Sequence, residues 1–154
     1  MKRILFVCLG NICRSPAAEG VFRTKARAAG IDVYIDSAGT GAWHVGDPPD
    51  ARMIKMAGKR GYDIAHQRAR KVDLADFYEF DYLLAMDLSN HTDLLDLAPP
   101  NRTADIRLFL DFADCEARET PDPYYGGDGG FERVLDLIEL GADGFLAHLD
   151  NESE

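Results

Sequence analysis

Three cysteines in 154 residues are too few, and odd in number, to build a disulfide framework. No apolar stretch is long enough to cross a bilayer, and no apolar leader segment follows Met1. Together these absences lead us to expect a cytoplasmic protein with reduced thiols and no membrane span. Basic residues are also scarce. With 17 Lys and Arg against 27 Asp and Glu, the formal net charge is −10, which leaves no extended basic face for nucleic acid. Internal repeats, low-complexity tracts and linkers are absent, so one domain over residues 1–154 is expected, a length sufficient for a real core. Two common phosphate-binding signatures are missing as well: there is no Gly-Lys-Ser/Thr of a Walker A loop and no Gly-x-Gly-x-x-Gly.

What the chain does have begins at its N-terminus. Ile4-Leu5-Phe6-Val7 is a run of four large apolar residues, the pattern of a strand buried on both faces in a parallel sheet. It delivers Cys8-Leu9-Gly10-Asn11-Ile12-Cys13-Arg14-Ser15, and Pro16 follows at what reads as the first position of a helix, with Ser15 a suitable N-cap. A loop leading from a strand into a helix N-terminus can aim several backbone N–H groups at one anion, with the positive end of the helix dipole behind them. Gly10 and Asn11 tolerate the backbone turns this requires. Arg14 adds a planar two-pronged donor suited to a phosphoryl group. The field that favours the anion also favours a thiolate at Cys8, so a nucleophile and an oxyanion site coincide.

Downstream, Ala18, Val21, Phe22, Ala26 and Ala29 recur at helical spacing, with Glu19, Arg23 and Arg27 off that stripe and Gly30 as a stop. Val33-Tyr34-Ile35 reads as a second strand, leaving through the small-residue segment Asp36 to Gly41. The segment from Ala42 to Pro49 reads as an exposed loop holding the single tryptophan, Trp43, which either stays exposed or folds onto the core. A helix over Ala51 to Lys59, a turn or two from Asp73 to Phe77, a strand from Phe80 to Met86, a helix from Ser89 to Leu97, a strand from Thr103 to Leu108 and a long helix from Phe131 to Leu149 complete the pattern. Strands alternating with helices imply a three-layer α/β sandwich, a four-stranded parallel sheet with helices on both faces and ligands at the strands' carboxyl ends.

A thiolate that attacks a phosphomonoester needs a proton donor for the departing oxygen. Pro121-Asp122-Pro123-Tyr124-Tyr125 supplies a candidate, with two prolines restricting the aim of Asp122 and two tyrosines able to border a cleft.

The octapeptide from Cys8 to Ser15, with its Cys-x5-Arg-Ser spacing, resembles the active-site loop of the low-molecular-weight protein tyrosine phosphatases, and Asp122-Pro123-Tyr124 resembles that family's acid loop. The resemblance spans Lys2 to about Leu149 and implies a phosphotyrosine-type phosphatase that works without metal or cofactor. It makes Cys8 the nucleophile, Arg14 the phosphate clamp and Asp122 the general acid and base. Leu9, Gly10, Asn11, Ile12, Cys13 and Ser15 would cradle the phosphate, while Trp43, Tyr124 and Tyr125 would line the cleft. Asn11, Ser37 and His66 would brace the loop, although His66 taken alone reads as a surface imidazole. Ser15 would donate to the thiolate if it is not the helix cap. Cys13 either pairs reversibly with Cys8 under oxidation or fills space as a small apolar side chain. Cys115 has no counterpart and reads as a buried or incidental thiol. The expected partner is a phosphotyrosine-containing protein or a small aryl phosphate. Arsenate reductases share the loop but relay a disulfide through further cysteines after the third strand, and Tyr82 to Ser89 holds none. Some bacterial relatives that act on phosphoarginine carry Thr at the position of Ile12, whose apolar branch suits an aryl phosphate better.

Overall fold

The computed structural model describes residues 1–125 and 129–152. Four parallel strands form its centre: β1 (Lys2–Cys8), β2 (Val33–Gly39), β3 (Tyr82–Ala85) and β4 (Asp105–Leu108), in the spatial order β2-β1-β3-β4. The helices are α1 (Arg14–Ala28), α2 (Ala51–Lys59), the single turn α3 (Asp76–Glu79), α4 (Leu88–Leu97) and α5 (Gly130–Glu152), and short 3-10 turns cover Phe109–Phe112 and Pro123–Tyr125.

The alternation of side chains along β1 divides the core in two. Ile4, Phe6 and Cys8 point into a layer shared with α1, α2 and α5, whereas Leu5 and Val7 point into a second layer with Phe77, Phe80, Leu94 and Ile106. Phe6 meets Phe22 and Phe109 edge to face, at centroid distances of 5.7 and 5.3 Å. Each such fully buried side chain contributes about 2 kcal/mol by leaving water. Gly141 and Gly144 of α5 are packing positions: a Cβ on Gly144 would sit 1.8 Å from Phe112 O, and one on Gly141 2.7 Å from the Phe109 ring. No helix among the described residues is long and apolar enough to cross a membrane.

The sequence patterns place every strand and helix correctly in order, and the bounds differ where long-range pairing decides them. β2 extends four residues past Ile35, because Asp36 to Gly39 pair in register with Leu5 to Cys8. β3 and β4, four residues each, are shorter than the stretches Phe80 to Met86 and Thr103 to Leu108 expected for them. α1 starts at Arg14 with Cys13 at the N-cap and no side chain capping it, so Ser15 is not the cap. Its hydroxyl is turned inward, where the loop uses it.

β1 hands the chain to β2 on one side and has β3 as its other neighbour, so the crevice at the carboxyl ends lies where the connections diverge. Cys8 ends β1 on one side of that crevice, and Asp87 follows β3 on the other.

Candidate active site

The loop from Cys8 to Arg14 is shaped by what holds its carbonyls. Cys8 O accepts from Thr40 N (2.9 Å), Leu9 O from Gly41 N (2.9 Å), Ile12 O from Asp50 N (2.6 Å) and Cys13 O from Ala17 N (3.1 Å). A trans peptide points its N–H opposite to its C=O, so the N–H groups of Leu9, Gly10, Cys13 and Arg14 face away from those donors. Asn11 supplies the left-handed turn, at φ 57°. Its own N–H points at Cys8 Sγ, 3.3 Å away.

The Asn11 side chain organises the buried underside. Its Oδ1 accepts from Arg70 N (3.0 Å), which fixes the amide's orientation, and its Nδ2 donates to Ser15 Oγ (2.8 Å) and Ser37 Oγ (3.0 Å). Because Ser15 Oγ is already an acceptor from Asn11, its proton is free for Cys8 Sγ at 3.0 Å, and the nearest alternative acceptor, Ala38 O, is at 3.5 Å. Ser37 passes its own proton to Glu19 Oε1 (2.8 Å), and Arg23 pairs with the other carboxylate oxygen at 2.8 Å. Burial pushes the Glu19 carboxyl upward, while Arg23 and Ser37 oppose it. Glu19, off the apolar stripe in sequence, is a buried member of this network. His66 is not brought to it; the side chain is exposed and makes no hydrogen bond among the described residues, because it sits on the turn that sends Gln67 inward to Pro16 O instead.

Arg14 is 5% exposed. Its Nη1 is held by Asp87 Oδ2 (2.7 Å) and Thr120 O (3.1 Å), which leaves Nε and Nη2 without a protein acceptor among the described residues. Burial pulls the guanidinium's pKa down, but the neighbouring Cys8 and the Asp87 contact outweigh it and hold the pKa above its ordinary value. Asp87 also caps α4 through Asn90 N (2.7 Å). Nothing local to Asp87 signals that second task beyond its place after a strand. Cys13 is buried beside Cys8, and its pKa is raised first by burial and then by the charges around it, so it stays a thiol. Cys8, Cys13 and Cys115 are all free.

A cleft of about 150 Å³ opens above the loop, lined by Cys8, Leu9, Gly10, Ile12, Cys13, Arg14, Trp43, His44, Asp122, Pro123 and Tyr124. Trp43 is 73% exposed and stands on the rim over Gly41. Opposite it, Asp122 accepts from Tyr124 N at 3.0 Å. The Tyr125 side chain, expected at this wall, lies outside the described residues. His44 was not singled out in sequence; it reaches the cleft with its ring paired to Asp47 at 3.2 Å. Among the described residues no cluster of three or more His, Cys, Asp or Glu could hold a metal ion.

Gly39 is where β2 passes beneath the loop. A Cβ there would lie 2.6 Å from Leu9 O and 3.2 Å from Asn11 N, both backbone atoms that cannot swing aside. Gly39→Ala is expected to displace the loop, costing about 1–3 kcal/mol of stability in a denaturant titration and about tenfold or more in catalytic efficiency.

The whole chain matches known proteins. Residues 3–154 match the family described as low molecular weight phosphotyrosine protein phosphatase. A Schizosaccharomyces pombe protein of that name is 47% identical over 143 residues, covering 90% of this chain and 91% of the relative. Among solved structures, a protein tyrosine phosphatase from Entamoeba histolytica with Hepes in its active site superposes with TM-score 0.94 at 40% identity, covering all of both chains. An arginine phosphatase from Drosophila superposes at 0.90 with 36% identity, covering 97% of this chain and 98% of that one.

Proposed function

The chain belongs to the low molecular weight phosphotyrosine protein phosphatases, and from that membership we propose a division of labour among the residues of the cleft. Cys8 Sγ attacks phosphorus in line with the aryl oxygen. The new S–P bond forms as the P–O bond breaks, and Asp122 gives its proton to the departing oxygen. Charge on the three equatorial oxygens is met by the inward loop N–H groups and by Nε and Nη2 of Arg14, which Asp87 keeps aimed through Nη1. Water then attacks the cysteinyl phosphate, Asp122 takes its proton, and Cys8 leaves as a thiolate that the Ser15 hydroxyl and Asn11 N–H receive. Trp43 and Tyr124 offer flat faces to an aryl group.

The observation that carries this reading is the convergence of Cys8, Arg14 and Asp122 on one cleft between exposed aromatic walls. Ile12 gives that cleft an apolar surface, which favours an aryl ester over the charged guanidinium of phosphoarginine. Arsenate reduction through a cysteine relay is disfavoured by the absence of any cysteine between Tyr82 and Ser89. A reducing cytoplasm is the setting in which three free thiols would persist.

The test is a rapid-mixing experiment with a phosphotyrosyl peptide, quenched in denaturant and read by peptide mass. One phosphoryl group on the fragment carrying Cys8 is expected, with faster phosphate release than from a matched phosphoarginyl peptide. A label on Cys13, or phosphate release with no labelled fragment, overturns the assignment.

A further inference from the structure

We propose that Asp50 and Tyr124 are positioning residues that latch the segment bearing Asp122 onto the loop bearing Cys8, and thereby set the aim of the acid; the inference rests on the acid role given to Asp122 above. Asp50 performs three tasks at once. Its N–H donates to Ile12 O in the phosphate loop (2.6 Å), its Oδ1 caps α2 by accepting from Arg52 N (2.8 Å) and Met53 N (3.4 Å), and its Oδ2 accepts from the Tyr124 hydroxyl (2.8 Å). Tyr124 in turn donates its backbone N–H to Asp122 Oδ1 (3.0 Å). A continuous hydrogen-bonded path therefore runs from the loop that holds the phosphate to the carboxyl that must protonate the leaving oxygen.

The aromatic ring is held as well as its hydroxyl. The Arg52 guanidinium lies 5.1 Å from the Tyr124 ring centroid and 4.8 Å from that of Phe131, and the two rings meet edge to face at 6.1 Å. Behind them the chain enters α5 at Gly130, where a Cβ would strike Pro123 O at 2.6 Å, so the acid segment is pinned from its far side too. Although burial alone would raise it, the Asp50 carboxyl is held below its ordinary range by Tyr124 and by the α2 amides. Burial, and then the bond to Asp50, push the Tyr124 phenol up. The pair therefore persists as phenol donor and carboxylate acceptor.

An exposed tyrosine on a cleft wall would serve equally well as a face for substrate, so the test must separate aiming from contact. Contact alone changes all aryl substrates together. Aiming matters in proportion to how much the leaving oxygen needs a proton. Tyr124→Phe keeps the ring and removes the hydroxyl. Its kcat/KM for phenyl phosphate is expected to fall about five- to tenfold and that for 4-nitrophenyl phosphate less than about twofold, steepening the dependence on leaving-group basicity. In an Asp122→Ala background the same substitution should change neither rate. Asp50→Asn, which can still cap α2, should act in the same direction and serves if Tyr124→Phe does not fold. Equal losses on both substrates, or a loss that survives in the Asp122→Ala background, overturn the latch. If Asp122→Ala alone leaves the leaving-group dependence unaltered, the acid assignment fails first and takes the latch with it.

Discussion

Cys8→Ser is expected to abolish turnover, by about 10⁴-fold or more, while phosphate still binds. A serine hydroxyl at this position is un-ionised at neutral pH and is a poorer leaving group from phosphorus, so both displacements slow; a loss of this size is about 5.5 kcal/mol of transition-state stabilisation. The anion site does not depend on the sulfur. The loop's carbonyls are tied to Thr40, Gly41, Asp50 and Ala17, and Arg14 is tied to Asp87 and Thr120, and none of these bonds uses the Cys8 side chain. The phosphate dissociation constant measured by calorimetry should therefore stay level. Residual turnover within about a hundredfold of the parent would mean that another group performs the attack. Loss of phosphate binding together with turnover would mean that the sulfur's contacts with Ser15 and Asn11 hold the loop's shape more than its own backbone bonds do.

The same distinction, between what a segment specifies locally and what distant chain supplies, explains how far the sequence could be read. The loop was legible because everything that makes it a loop is contiguous: a buried strand, a left-handed residue at Asn11, an arginine and a helix start within a few residues. What braces it is not contiguous. Ser15 looks like a cap because its neighbours are a loop and Pro16, yet Asn11 and Cys8 claim its hydroxyl from inside the loop. Glu19 falls off the apolar stripe of α1, yet it is buried because β2 brings Ser37 against it from eighteen residues away. Asp87 and Thr120 lie 73 and 106 residues from Arg14, and only the parallel packing of β3 beside β1 brings the first of them to the guanidinium. His66 shows the reverse case, in which family resemblance suggested a contact that the local turn does not make. The glycines of α5 were legible as glycines and illegible as packing sites, since their reason is the ring of Phe109 and the backbone of Phe112.

Asp122→Ala separates the two halves of the mechanism. The loop and Arg14 stabilise the transferring phosphoryl group whatever it leaves from, whereas Asp122 matters only to the oxygen it protonates. Loss of the carboxyl should therefore cost about 10²- to 10³-fold in kcat/KM for phosphotyrosine and phenyl phosphate, and within about tenfold for aryl esters whose anions leave unaided. Water attack on the cysteinyl phosphate also needs a base. With activated substrates the variant should thus accumulate the intermediate, visible as a burst of phenolate release that exceeds steady turnover. Among the described residues Asp122 accepts from one backbone donor, Tyr124 N, on a segment flanked by Pro121 and Pro123, so deleting its side chain leaves the other hydrogen bonds of those residues intact and the phosphate affinity should not change. A uniform loss across substrates would point to disturbed binding. No loss with phosphotyrosine would require the proton to come from elsewhere in the cleft, where His44, paired to Asp47, is one of the other titratable groups.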